Sequence, residues 1–342
     1  MADNEKTAPG TQGGMSHSGS AGSAPDSVGP GTPQDGPTRR ACGAMEVHRR
    51  LLNTSSAYRD ARSAIENSTR DFLAAEGVDR FPGVVRIPVV VHVVANTDDQ
   101  DISDEQVRSQ IEVLNRDYRA ANPDVDIVPP VFRDLVADSR VEFGLATTGP
   151  DGQPTDGITR TRTDVVSFDT DDRVKSSATG GADPWPTDRY LNIWVCPLGG
   201  GLLGYAQFPG GPAETDGVVI LHSGFGTTGT AAAPFDLGRT TTHEVGHYLN
   251  LFHIWGDDGT GCGGTDEVDD TPNAAGPNFG VPTFPHVTCG NTPDGDLFYD
   301  FIDYTDDRGM VMFTVGQAAR MEACLDAVRV GLAQPVPAAA PA

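Results

Sequence analysis

Residues 243–253 read HEVGHYLNLFH and hold three of the chain's eight histidines. His243 and His247 are four residues apart, one turn of a helix, so both imidazoles leave the same face. Glu244 lies beside the first of them. Two ring nitrogens on one helical face, with an adjacent carboxylate, can bind zinc and move a proton. His253 is six residues past His247 and falls off that face. It reaches the same metal only if the helix stops near Leu249 and the chain turns back at Asn250. Three neutral imidazoles leave a fourth tetrahedral position for water, the arrangement of a catalytic site and not a structural one. Zinc acidifies such a water and polarises a carbonyl, and Glu244 stands where a general base is needed. The reaction that fits is hydrolysis of a peptide bond.

Those side chains need a rigid frame, and the residues before them supply one. VVRIPVVVHVVAN is β-branched and apolar with no helical period, which predicts a buried strand. DISDEQVRSQIEVLNRDYRAANPD predicts a helix. Ser103 and Gln106 form its capping box, Ile102 staples against Val107, and Val107, Ile111, Leu114 and Tyr118 line one face. RVEFGLATT, YLNIWVCPL and DGVVILHS read as further strands. This β-α-β-β order predicts an α/β sheet with the metal-binding helix packed behind it. Beyond Trp255 the chain is rich in Gly, Asp and Pro until a last helix, QAARMEACLDAV, capped by Thr314 and Gln317. His17, His48, His92, His222 and His286 read as ordinary core or surface histidines.

A chain of 342 residues can bury a full core and has room for two domains. Its formal charge of −24 and lack of any basic tract argue against nucleic acid or an anionic membrane as partner. The longest strand-like apolar run, IPVVVHVVA at 87–95, is too short to span a bilayer as a helix. Residues 1–39 are rich in Gly, Ser, Pro and Thr and are expected to be disordered. Their start lacks an apolar stretch, so no secretory signal peptide is read there. Residues 44–74 have a helical pattern, 77–83 read as a linker, and 333–342 as a Pro/Ala tail. The five cysteines leave at least one thiol unpaired in a monomer. Cys196 and Cys324 fall on a strand and a helix and are expected to be buried thiols.

From about Arg86 to Leu325 the chain resembles the pappalysin-type metzincin metalloproteases, a group that includes ulilysin-like enzymes. HEVGHYLNLFHIWGDD, CGGTDEVDDTPN and DYTDDRGMVMFTVGQAARM carry the resemblance, in order and in spacing. It implies a helical prosegment at 40–83 and a catalytic domain at 84–332. That domain would hold a twisted, mostly parallel sheet, a backing helix and the active-site helix up to about 253. An irregular C-terminal subdomain with one helix would follow. The resemblance implies one catalytic zinc on His243, His247 and His253, with Glu244 as base and Tyr304 steadying the tetrahedral intermediate. It also implies structural calcium at Asp266, Val268 and Thr271, and a bridge between Cys262 and Cys289. Cys42, in RRACGAMEVHRR, matches the prosegment cysteine that ligates zinc in a latent precursor. A thiolate is a better zinc ligand than water. Cleavage in the linker, most simply after Arg80, would release it.

Four positions depart from the family pattern. Asn250 replaces the glycine of the turn, and asparagine tolerates the left-handed conformation next best. Ile302 replaces the Met-turn methionine with an apolar side chain of similar volume. Val281 and Gly309 replace both members of a second bridge. Arg308 stands where relatives that cut before arginine carry an aspartate at the base of the primed-side pocket, so that preference is not expected here. The reading is therefore a latent zinc endopeptidase acting on proteins or peptides, monomeric and extracellular. The alternative is a catalytically weakened, peptide-binding relative.

Overall fold

The structure is a computed structural model, and it describes residues 36–75, 83–259 and 261–335. The expected disorder of residues 1–35, His17, the linker around Arg80 and the last seven residues lie outside those described. Two helices come first, α1 (Ala44–Thr54) and α2 (Ser56–Ala74). They are separated at Ser55, whose side chain accepts from the Tyr58 amide and caps α2.

The sheet grows around β1 (Val85–Ala95), whose apolar run is buried almost throughout. One edge of β1 pairs in parallel with β2 (Val141–Leu145) and then with β3 (Ile158–Arg162). Its other edge pairs in parallel with β4 (Leu191–Cys196), which pairs in parallel with β6 (Val218–Leu221). The sheet ends at β5 (Gly204–Ala206), antiparallel to β6. β7 (Gln334–Pro335) runs antiparallel to the start of β1, so ordered pairing extends past residue 332 into the expected tail. The fold is thus a mostly parallel α/β sheet with one C-terminal helix, α5 (Val315–Ala327).

α3 (Asp104–Tyr118) backs the sheet and carries half of the expected capping box. The Ser103 side chain accepts from the Gln106 amide, but the Gln106 side chain goes to the His222 and Phe225 carbonyls and Thr230 instead of back to Ser103. α4 (Arg239–Tyr248) is buried along its whole length, between α3 and the sheet end formed by β5 and β6. α3 anchors it with polar groups. Thr242 Oγ1 donates to Asp117 at 2.7 Å, Tyr118 donates to the Thr242 carbonyl at 3.1 Å, and Arg239 pairs with Asp117 at 3.1 Å. Unpairing any of these would strand a buried polar group, so α4 has little freedom to shift. The Cys262–Cys289 disulfide ties together the irregular stretch that follows, where little regular structure forms. No helix among the described residues is long and apolar enough to cross a membrane.

Candidate active site

α4 ends through a complete left-handed stop. Asn250 has φ 78°, its amide donates to the His247 carbonyl at 3.0 Å, and the Leu251 amide donates to the Gly246 carbonyl at 3.0 Å. These are the two bonds of a Schellman motif with asparagine at the usual glycine position. The turn sends the chain back, so that His253 faces His243 and His247.

The three rings meet through Nε2, with His247 Nε2 3.1 Å from both His243 Nε2 and His253 Nε2. Behind them, His243 Nδ1 donates to the Phe301 carbonyl at 2.8 Å and His247 Nδ1 to the Leu251 carbonyl at 2.7 Å. His253 Nδ1 meets the Asp257 carboxylate at 2.8 and 3.0 Å. A carbonyl can only accept, so these partners assign the ring protons to Nδ1 and leave lone pairs on Nε2. Three buried lone pairs converging at this distance repel one another unless a cation lies among them. The separations are close to what tetrahedral zinc imposes with Zn–N bonds of about 2.0–2.1 Å. Burial, and then the neighbouring imidazoles, hold His243 well below its usual pKa and His247 down to about 3, so both stay neutral donors. The donor set fits a zinc ion. Trp255 stacks on His253 with ring centroids 4.3 Å apart, closing one side of the cluster.

Cys42 supplies a fourth donor. Its Sγ and the three ring nitrogens all lie within 4.8 Å of one another, and they form the only such cluster among the described residues. Residues 41–43 reach this place by adding to the free edge of β5. The Leu203 amide donates to the Ala41 carbonyl, and the Gly43 amide to the Gly204 carbonyl, both at 2.9 Å. Cys42 Sγ donates to Glu244 at 3.3 Å, and Tyr304 OH lies 3.3 Å from the Cys42 amide. Burial, followed by the Glu244 charge, pushes the Cys42 thiol well up, and burial lifts Glu244 to about 8. A cation at the cluster is what would favour the thiolate instead. Glu244 fits against β5 because Gly204 has no side chain, since a Cβ there would sit 2.9 Å from Glu244 Cγ.

Ile302 is buried under α4, and a Cβ on Gly246 would meet its Cδ1 at 2.4 Å. It therefore occupies the floor beneath the rings. Val281 and Gly309 are neighbours, and a Cβ on Gly309 would lie 3.1 Å from Val281 Cγ2. The valine fills the room of a second bridge. Asp266 accepts from the Val268 amide at 3.2 Å and from Thr271 Oγ1 at 2.8 Å, so this loop closes on its own hydrogen bonds.

The pocket expectation needs correction. The Arg308 side chain is 74% exposed and reaches only Asp306 at 4.0 Å, so it is not at a pocket base. The interior position belongs to Asp307. Two amides, of Leu237 and Arg239, aim at one of its oxygens, and that pull turns its carboxylate inward. Its other oxygen takes the Arg40 guanidinium at 2.6 Å, with both side chains buried. Arg40 also donates to Thr240 and to the Thr305 carbonyl, each at 3.1 Å. Three further participants escaped the sequence analysis: Asp257, Arg40 and Glu66. Asp257 was in view, four residues past His253. Arg40 precedes Cys42 by two, but nothing local paired it with Asp307. Glu66 on α2 meets Arg320 on α5 at 2.7 Å and Asn250 at 3.3 Å, contacts that only the tertiary fold creates. His92 bonds Thr159 and Asn192, and Cys196 and Cys324 are free and buried, so all three are core residues.

A sheet of this topology with a buried histidine helix at its end, three convergent imidazoles and a neighbouring carboxylate define a metal-dependent hydrolase of the metzincin type. The peptidase family described as pregnancy-associated plasma protein-A matches residues 175–326. An extracellular metalloprotease of Pyricularia oryzae is 30% identical over 304 residues, 86% of this chain and 91% of its own. Extracellular metalloprotease 1 of Coccidioides posadasii is 32% identical over 262 residues, 72% and 79% of the two chains. Among solved structures, a promirolysin mutant of Tannerella forsythia is 44% identical with a TM-score of 0.80, over 86% of this chain and 97% of that one. Mature mirolysin with a cleaved peptide is 50% identical with a TM-score of 0.72, over 73% and 96%. The chain belongs to this metalloprotease family and is a metalloendopeptidase.

Proposed function

We propose that the protein is a zinc endopeptidase held latent by its own N-terminal segment. The observation that carries this reading is the convergence of Cys42 Sγ and three histidine Nε2 atoms within 4.8 Å. His243, His247 and His253 would hold zinc. When bound there, zinc supplies Lewis acidity towards a peptide carbonyl and lowers the pKa of water. Glu244 takes the proton of the attacking water and returns it to the leaving amine. Tyr304, whose hydroxyl now meets the backbone of Cys42, donates to the carbonyl oxygen as that carbon becomes tetrahedral. A substrate strand would add to β5 where residues 41–43 now lie. The Asp307 pocket would then take the first side chain after the scissile bond, and its buried carboxylate suits arginine.

In the precursor Cys42 takes the fourth donor position, Arg40 fills the Asp307 pocket, and α2 grips the turn after α4 through Glu66. The expected prosegment at 40–83 would include residues 36–39 as well, which the sequence reads as disordered but which lie among the described residues, next to Arg40. The names of the relatives and the Cys262–Cys289 bridge support an extracellular setting. The Asp266 loop would take calcium. Burial lifts this carboxyl to about 7, and a cation would keep it charged. Casein hydrolysis by activated protein tests the main reading. Loss of hydrolysis with a zinc chelator and recovery with added zinc is expected, and hydrolysis indifferent to the chelator would overturn it.

A further inference from the structure

A second cation of the prosegment, the exposed side chain of Arg39, meets a ring that lies next to Tyr304. Its guanidinium carbon is 3.6 Å from the ring centroid of Phe279. That distance is full face contact, the geometry in which a ring quadrupole attracts a cation. The aromatic face is built into the site. Its two neighbours in sequence are tied to the segment that carries Tyr304 and Asp307. The Asn278 amide donates to Asp303 Oδ1 and its Nδ2 to Asp303 Oδ2, both at 2.8 Å. The Asp306 amide donates to the Gly280 carbonyl at 2.8 Å. The Phe279 ring lies 6.0 Å from the Tyr304 ring. Two segments joined by these hydrogen bonds, 278–280 and 303–307, therefore place the ring next to Tyr304 and Asp307.

Followed backwards along the prosegment, the order is Cys42 at the donors, Arg40 on Asp307, and Arg39 on Phe279. Residues 41–43 run parallel to β5, so a substrate adding antiparallel to that edge would run in the opposite direction. With its first residue after the scissile bond at Asp307, its second would lie towards Phe279. We infer that Phe279 forms a second cation-recognising subsite, selecting arginine or lysine at the second position after the scissile bond. The enzyme would then favour paired basic residues on that side of the cut. The inference rests on the reading of the Asp307 pocket given above, and the test separates the two.

Mature enzyme is assayed on three peptides that share every other residue. They carry Arg-Arg, Arg-Ala or Ala-Arg after the scissile bond. Arg-Arg should exceed Arg-Ala in kcat/KM by about three- to tenfold, with the gain in KM. Phe279→Leu should bring that ratio near one, while Phe279→Trp should keep or raise it, which a merely structural ring would not do. A ratio near one in the unmodified enzyme, or one unchanged by Phe279→Leu, would overturn the subsite. Ala-Arg cut as fast as Arg-Arg would overturn the pocket reading alone and, with the Arg-Arg over Arg-Ala ratio intact, would support Phe279.

Discussion

Each histidine of the cluster is fixed from behind by its own domain, through the Phe301 carbonyl, the Leu251 carbonyl and the Asp257 carboxylate. Cys42 faces them from the opposite side, held by two strand hydrogen bonds to β5 and by Arg40 two residues away. The histidine half stays oriented when the prosegment leaves. The cysteine half is in place only while the prosegment stays docked on β5 and on Asp307. On the proposed reading, latency and catalysis would share a metal position but not a scaffold, so one could be broken without the other.

The sharpest way to split the two halves is at Cys42. Cys42→Ala removes the fourth donor while leaving α1 and α2 able to dock. The uncut precursor should then hydrolyse casein, where the unmodified precursor should not. Equal inactivity of both uncut chains would mean that the prosegment blocks the cleft by bulk. Next in size is Arg40→Ala, which strands the buried Asp307 carboxylate at a cost of about 3–5 kcal/mol. Residues 36–43 should loosen by roughly two to four orders of magnitude in equilibrium, seen as faster alkylation of Cys42. An unchanged alkylation rate would move the weight of docking to α2.

On the histidine side, Asp257→Ala frees His253 Nδ1 and should weaken zinc affinity about 10–100-fold by chelator competition. Zinc retention equal to the unmodified protein would show that the turn alone orients His253. The smallest effect at any one step is acidic. His48 on α1 lies among Tyr58, Phe208 and Phe252, and burial, then Arg62 and Arg49, lower its pKa to about 4. Release would return it towards 6.5. Protonation thus favours the undocked state. Docking should be full above about pH 6.5 and weaken towards pH 4, by no more than tenfold per unit for one proton. Hydrogen exchange across α1, corrected for intrinsic rate, should show this, and His48→Gln should remove it.

How much of this was legible beforehand follows from how local each signal is. The histidine spacing, the Asn250 stop and the Ser103 cap are each written within a few residues and form, except that the Gln106 half of the capping box is drawn off by the distant His222, Phe225 and Thr230. β1 was legible because it is buried on both faces. β3, ITRTR, has no buried residue in its run, and β5 is three residues in a glycine-rich stretch, so neither carried a period to read. Yet β5 is the edge on which the prosegment lies. In the charged run DYTDDRG, position in sequence does not say which side chain turns inward. Which carboxylate turns inward depended on the Leu237 and Arg239 amides, some seventy residues away.

The central claim is that Glu244 moves protons for a zinc held by three histidines, and one variant tests it most directly. Glu244→Ala, activated in the same way as the unmodified protein, should keep its zinc by elemental analysis. It should lose casein hydrolysis by about 10²–10⁴-fold. Zinc lost in parallel with activity would contradict the division of labour, and full activity with zinc retained would remove Glu244 from the chemistry.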